Sequence, residues 1–428
     1  MFKKVKLSDL GDIYTGNTPS KNNKDFYNSN DIMFIKPDIL SYNIKNIENS
    51  NEYISEKARK KARIIPKNSL LVSCIGNIGK LGINNKPVAF NQQINAIVHN
   101  DKIESSKYLA YVLKFNQKKL KSIANAPVVP IINKNEFSKF EVYIHDDWNI
   151  QKRIVDILDK AVVLIQKRQE EIRYLDDLIK SKFIEMFGDP VSNPKKWNKN
   201  KLDEVVTNDC TISYGIVQTG EEQKEGIPVI RPIDIVNNKQ PILEELKKTT
   251  QEISNKHKKT ILRGNELLIT VRANIGDVCL IDNQFKGCNV GRGITPIRLK
   301  EDLINGYFLK HQFKTYGCQR ELKTLAKGIT LVQLNMEDLR KFKLIVPPIE
   351  LQNEFADFVK ETDKLKYQKL IISLKVLTNG FNSLIQEMLN SKSCMFGEIC
   401  LKKDVGRVYN KSIEYSEKIK RGYKNGKF

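Results

Sequence analysis

The chain has 428 residues, too many for one ordinary core, so two or more domains are expected. Its 72 Lys and Arg against 50 Asp and Glu leave a formal net charge of +22, a field that favours a polyanionic partner, either nucleic acid or an anionic membrane surface. Apolar runs fall short of the ~18 residues that span a bilayer, so no membrane-spanning helix is expected.

The opening stretch, Met1 to Leu10, is basic but has no apolar segment after it, so it does not read as a signal peptide, and a cytoplasmic location is expected. Residues 1–148 then carry short β-like runs broken by Gly, Pro and Asn, among them Ile32–Ile35, Leu70–Ile75 and Ala96–Val98. A helical segment without Pro or Gly follows within 149–190, clearest over Gln151–Phe187. Residues 191–348 return to short β-like runs, such as Leu267–Val271 and Phe342–Val346. A second long helix is predicted over 349–390, and a basic tail occupies 391–428. The predicted fold class is α/β (α+β), with two repeated domains each followed by a long helix.

The chain repeats itself. Asn68 to Gly79 reads NSLLVSCIGNIG and Asn265 to Gly276 reads NELLITVRANIG, six of twelve positions being identical. Ile54-Ser55 and Lys57 answer Ile253-Ser254 and Lys256. Asn133 and Lys139-Phe140 answer Asn335 and Lys341-Phe342, and Gln151 answers Gln352. Collinear matches over so much chain indicate two copies of one unit.

Both helices carry a narrow apolar seam at alternating spacings of three and four, which suits helix-to-helix packing as an antiparallel coiled coil. In the first it comprises Ile154, Leu158, Ala161, Ile165, Ile172, Leu175, Ile179 and Met186. In the second it comprises Leu370, Leu374, Leu377, Phe381, Leu384 and Met388. A helix closing its own domain is the alternative reading of each.

No catalytic or metal constellation emerges. The one Pro-Pro, Pro347-Pro348, is flanked by Val346 and Ile349, without the polar and aromatic groups that grip a flipped base. Gly76 to Leu81 has the wrong glycine spacing for a phosphate loop and reads as a hairpin turn. The four histidines are scattered, and His145-Asp146-Asp147 reads as a solvated loop. Seven cysteines without a CxxC pair read as buried, reduced thiols.

These motifs resemble the specificity subunits of type I restriction–modification systems. The resemblance is carried by Leu7-Ser-Asp-Leu10 followed by Tyr14-Thr-Gly-Asn-Thr-Pro-Ser20, then by Ile65 to Ser73 running into Gly76-Asn-Ile-Gly79. Phe90-Asn-Gln-Gln-Ile94 and Val346-Pro-Pro-Ile-Glu-Leu-Gln352 complete it. It implies two target recognition domains, each reading half of a split site in double-stranded DNA, with the helices setting the gap. It further implies two methyltransferase subunits docked on the helical regions, motor–nuclease subunits joining them, and S-adenosylmethionine, ATP and Mg held by those partners rather than by this chain. His145-Asp-Asp-Trp-Asn-Ile-Gln151 departs from the more typical second copy, and TGNTPS has no clear partner in the second unit.

Phosphate contacts call for Lys and Arg, and base reading for Arg at guanine and Asn or Gln at adenine. The DNA-binding candidates in the first domain are Thr18, Ser20, Lys21, Lys36, Asn77, Lys80, Asn91, Gln92 and Gln93. In the second they are Arg231, Arg272, Asn274, Arg292, Lys327 and Thr330. Arg272 and Arg292 stand out because each sits among small or apolar residues, where a charge is costly unless paired. The asparagines of the two NIG turns read equally as structural. Alternatives left open are a specificity subunit serving a fused methylase–nuclease partner, a stand-alone site-specific endonuclease, and a basic coiled-coil scaffold for RNA or membrane.

Overall fold

The structure is a computed structural model that describes residues 2–124, 129–328 and 332–390, with side chains described up to residue 369. Thr330, the side chains of Leu370, Leu374, Leu377, Phe381, Leu384 and Met388, and the 391–428 tail lie outside the described residues. The chain divides into two compact units, one built on Met1–Gln166 and one on Lys167–Ile371.

In the first unit the strands are β1 (Phe2–Lys6), β2 (Gly11–Thr15), β3 (Ile32–Ile35), β4 (Asn46–Ile47), β5 (Glu52–Ile54), β6 (Ile64–Ile65), β7 (Leu70–Ser73), β8 (Leu81–Asn84), β9 (Val88–Phe90), β10 (Ile94–His99) and β11 (Glu141–His145). Three short helices, α1 (Ser106–Phe115), α2 (Gln117–Ser122) and α3 (Lys134–Lys139), precede the long α4 (Trp148–Phe187). One sheet runs β2-β10-β7-β8-β4, a second runs β5-β3-β9-β6, and β1 pairs with β11. The apolar run of β7 is buried throughout because successive side chains leave opposite faces of a strand. Leu70 and Val72 enter the core beneath α1, and Leu71 enters the core against β3 and β9. Val155 and Leu158 of α4 close the α1 core, so the start of this helix packs on its own domain.

The second unit repeats the plan. Its strands are β12 (Lys199–Lys201), β13 (Ile227–Ile230), β14 (Lys247–Thr249), β15 (Leu267–Thr270), β16 (Val278–Leu280), β17 (Asn289–Val290), β18 (Ile294–Ile297) and β19 (Lys343–Ile345). Its helices are α5 (Gln251–Lys256), α6 (Gly306–Phe313), α7 (Tyr316–Leu325), α8 (Met336–Arg340) and α9 (Ile349–Asn390). The sheet order β16-β15-β18 copies β8-β7-β10, and β14-β13-β17 copies β5-β3-β9. The parallel pairing is copied too, Ile35 facing Phe90 in one unit and Ile230 facing Val290 in the other. Leu267 and Ile269 turn to one core and Leu268 to another, as in β7.

Within the second unit the latter half of α4 meets the first half of α9 in antiparallel sense. Glu171 pairs with Lys369 at 2.9 Å, Asp176 with Lys366 at 2.7 Å, and Phe183 lies 5.4 Å from Phe355. Their tight packing is aromatic: Phe183 and Phe187 are buried with Phe355 and with Phe308 of α6. Of the predicted seam, Ile179 is buried, and Ile172 and Leu175 are half-buried. Beyond it the fully buried side chains are Phe183 and Phe187, each one position past the 3–4 spacing, and Met186 of the predicted seam is half-buried. Ile154 and Ala161 are half-buried, whereas Ile165 is 41% exposed.

Candidate nucleic-acid interface

In the first unit, hydrogen bonds draw four loops to one rim. The backbone N–H of Asn17 donates to Phe90 O at 3.0 Å, that of Asn91 to Ile35 O at 3.1 Å, and that of Cys74 to Gln93 O at 2.8 Å. Gly76 N–H donates to Pro130 O at 2.9 Å. Thr18, Lys36, Asn77, Asn91, Gln92 and Gln93 therefore belong to connected loops around the short turn between β9 and β10. Lys80 reaches the same corner, its Nζ donating to Pro37 O at 3.4 Å. Ser20 and Lys21 follow on exposed chain, and Lys21 lines an open hollow of about 730 Å³ with Lys24, Tyr27 and Tyr53.

The second unit builds the same rim with the same bonds. Ile216 N–H donates to Val290 O at 2.8 Å, Gly291 N–H to Ile230 O at 2.8 Å, and Val271 N–H to Gly293 O at 2.8 Å. Arg231, Arg272, Asn274 and Arg292 stand on these loops, and Lys327 joins through its backbone exchange with Gln333, which bridges to Arg272. These bonds also supply the missing partner of the TGNTPS opening. Gly16 and Gly215 occupy one place, since a Cβ on Gly16 would lie 2.3 Å from Phe90 O and one on Gly215 2.1 Å from Val290 O. The stretch from Tyr214 to Thr219 thus answers TGNTPS, a partner that is not clear from the sequence.

The rim charges differ in how far the protein satisfies them. Lys36 and Arg231 follow equivalent strands, and each faces a carboxylate, Glu52 and Asp234 respectively. The Asp234 hydrogen bonds tighten the hold of Arg231 on its proton. Arg272 donates from Nε to Gln333 Oε1, and Gln333 donates to Tyr214 Oη at 2.6 Å. The expected strain of a guanidinium among apolar residues is thereby relieved inside the fold. Lys327 approaches Asp338 at 3.4 Å. Arg292 is exposed, and among the described residues no side-chain partner for it is found.

Asn77 and Asn274 are exposed, but it is their backbone carbonyls that do identifiable work, accepting from Ser73 and Thr270 in matching turns. Asn91 is buried and bonds Gln93 Oε1 at 2.9 Å, so these two hold the loop together. Gln92 is exposed, and its Oε1 accepts from the Thr18 hydroxyl at 2.8 Å.

One basic element escaped the sequence reading. Asn17 clamps the segment from Lys57 to Arg63 to the rim, its Nδ2 donating to Lys61 O at 2.6 Å and its Oδ1 accepting from Arg63 N–H at 2.6 Å. That segment exposes Lys57, Arg59, Lys60, Lys61 and Arg63. The second unit has Lys256, Lys258 and Lys259 after the same Ile-Ser pair. A repeated cluster of cations beside a repeated turn was the available signal. Among the described residues no group of three His, Cys, Asp or Glu side chains is placed to hold a metal ion, and no helix is long and apolar enough to cross a membrane.

The family described as "Type I restriction modification DNA specificity domain" matches residues 1–174 and 194–375. The chain is 35% identical over 178 residues to the type I restriction enzyme HindI specificity subunit of Haemophilus influenzae, a match covering 40% of this chain and 38% of that subunit. It is 24% identical over 409 residues to the MjaIX specificity subunit of Methanocaldococcus jannaschii, covering 88% and 90%. A chain solved in work on complex assembly and conformational transition of the type I R-M system shares the fold, with TM-score 0.56, 15% identity and coverage of 90% and 97%.

Proposed function

The chain belongs to the type I restriction modification DNA specificity domain family, and from that premise we propose that it is the sequence-recognition subunit of a type I restriction–modification complex. Each unit reads one half of a split site in double-stranded DNA through its rim, and α4 with α9 sets the gap between the halves. The observation that carries this reading is the duplicated rim: one backbone frame, built twice by the same hydrogen bonds, bearing different exposed side chains. Such a frame holds different half-sites in one geometry, because phosphate contacts position a protein while base contacts specify. The net charge of +22 supplies the attraction to duplex DNA.

The subunit is non-catalytic by itself. Two methyltransferase subunits dock on the helices, where Val162, Val163, Tyr174, Leu178 and Ile184 of α4 leave large apolar side chains exposed. Motor–nuclease subunits complete the assembly. S-adenosylmethionine, ATP and Mg belong to those partners, and the complex works in the cytoplasm.

The test is to map methylated adenines by single-molecule sequencing in cells that express this chain with its cognate methyltransferase. A split motif with a fixed gap, lost when this gene is deleted, is the expected result. A continuous motif, or methylation independent of this chain, would sink the reading.

A further inference from the structure

The turns between β9 and β10 and between β17 and β18 are built alike and differ at their outermost side chain. Each is pinned from three directions: by Asn17 or Ile216, by Ile35 or Ile230, and by Cys74 or Val271. Both are closed by a bond across the turn, Ile94 N–H to Asn91 O at 3.2 Å and Ile294 N–H to Gly291 O at 2.9 Å. Ile35 and Phe90 pair as Ile230 and Val290 do, so the register leaves Gln92 and Arg292 at one position of the repeated frame. Both side chains are exposed.

The surroundings divide these two from the other candidates. Lys36, Arg231 and Arg272 are engaged by Glu52, Asp234 and Gln333, and Asn91 and Gln93 bond each other. Arg292 presents its whole guanidinium fork, which matches the O6 and N7 acceptors of guanine in the major groove. Gln92 is held by Thr18 through one lone pair of Oε1. The second lone pair and the Nε2 donors remain for the N6 donor and N7 acceptor of adenine.

We infer that residues 92 and 292 are equivalent base-reading positions, Arg292 selecting a guanine in one half-site and Gln92, oriented by Thr18, selecting an adenine in the other. This rests on the recognition reading above and adds residues and bases to it. The difference in specificity between the halves is then concentrated at one position of a shared frame.

The deciding experiment reads the methylated motif in cells that express the full chain with its cognate methyltransferase. Wild type is compared with Arg292→Gln, Arg292→Lys and Gln92→Arg, and melting of the purified variants checks folding. Both arginine variants are expected to relax a guanine at one position of one half-site, about 10- to 100-fold in discrimination. Gln92→Arg is expected to alter an adenine in the other half-site, and Thr18→Val to weaken that same adenine preference. Exposed side chains at both sites predict unchanged melting temperatures.

An unchanged motif in the variants overturns the base assignment alone. So does an even loss of methylation at all sites under Arg292→Gln that Arg292→Lys restores, since that is the behaviour of a phosphate contact. A wild-type strain without a split motif overturns this assignment and the recognition reading together.

Discussion

Gln151 and Gln352 perform one task in two units. Each is fully buried, and each accepts a backbone N–H on Oε1, from Glu104 at 2.8 Å and from Asn305 at 2.9 Å. Each donates from Nε2 to two carbonyls, Gln151 to Lys102 O and His145 O, and Gln352 to Leu303 O and Pro347 O. The amide therefore ties the first turn of the long helix to the loop before α1 or α6 and to the strand end behind it. Only a side chain carrying both an acceptor and two donors closes this set.

Replacement by leucine keeps the volume and strands three buried backbone groups. At about 1–3 kcal/mol for each unsatisfied group, partly relieved by relaxation, the expected loss is about 3 kcal/mol. Denaturant melts of the full chain should show it for Gln151→Leu and for Gln352→Leu. Glutamate should cost more than leucine, because its carboxylate would face two carbonyl oxygens. Melts within a few tenths of wild type would refute the tie.

The turn after β7 and β15 supplies a prediction of opposite sign. Gly76 has φ +71° and Ala273, its counterpart, has φ +60°, where an L side chain is strained. Left-handed backbone costs an alanine about 1–2 kcal/mol. Ala273→Gly should therefore stabilise the second unit by about 1 kcal/mol, and Gly76→Ala should weaken the first by a similar amount. Both sites are exposed, and a Cβ on Gly76 would meet nothing within 4 Å, so packing does not confound the comparison. Equal melting of Ala273→Gly and wild type would count against the assigned conformation.

The repeat was legible because identical residues mark its turns: Asn68 and Asn265 both take positive φ, and Gly79 and Gly276 close matching loops. The equivalence of Gly16 and Gly215 was hidden, because what they share is a backbone approach that admits no Cβ, within otherwise unlike sequence. The burial of Phe183 and Phe187, beside the predicted seam, was hidden for a related reason. The 3–4 count assumes a partner of constant shape, and here Phe308 of α6 joins the interface and draws the buried stripe round the helix. The partner that Arg272 needs among apolar residues was not legible, because Gln333, which accepts from it, lies 61 residues further along the chain.

The buried cysteines give a chemical check on both cores. Burial pushes the thiols of Cys74 and Cys318 up to about 12, and those of Cys279 and Cys288 up to about 11. The thiolate is the reactive form, so these four should resist a thiol reagent at about pH 8 in the folded protein and react once denaturant is added. Peptide mapping after labelling distinguishes them one by one. Fast native labelling of Cys74 or Cys279 would contradict the packing of β7 or β16.

His311 should make the second unit sensitive to acid. It lies 9% exposed on α6 with its ring 5.5 Å from that of Phe355. Burial first, and then Lys314, Lys310 and Lys366, hold its pKa well below the ordinary 6.5. Between the depressed folded value and 6.5, the unfolded chain binds a proton that the folded chain refuses, so stability rises with pH through that window. The contribution is fully present above about pH 6.5 and is lost as pH falls, at about 1 kcal/mol per pH unit. His311→Gln removes the titration and keeps a neutral side chain of similar reach. Between about pH 7.5 and about pH 5.5 the wild-type melting temperature should fall further than that of His311→Gln, the two curves converging toward neutral slope above pH 7. Parallel curves across the range would show that His311 takes up its proton as readily in the folded protein as in the unfolded chain, and that burial and the cations around it do not exclude a further charge.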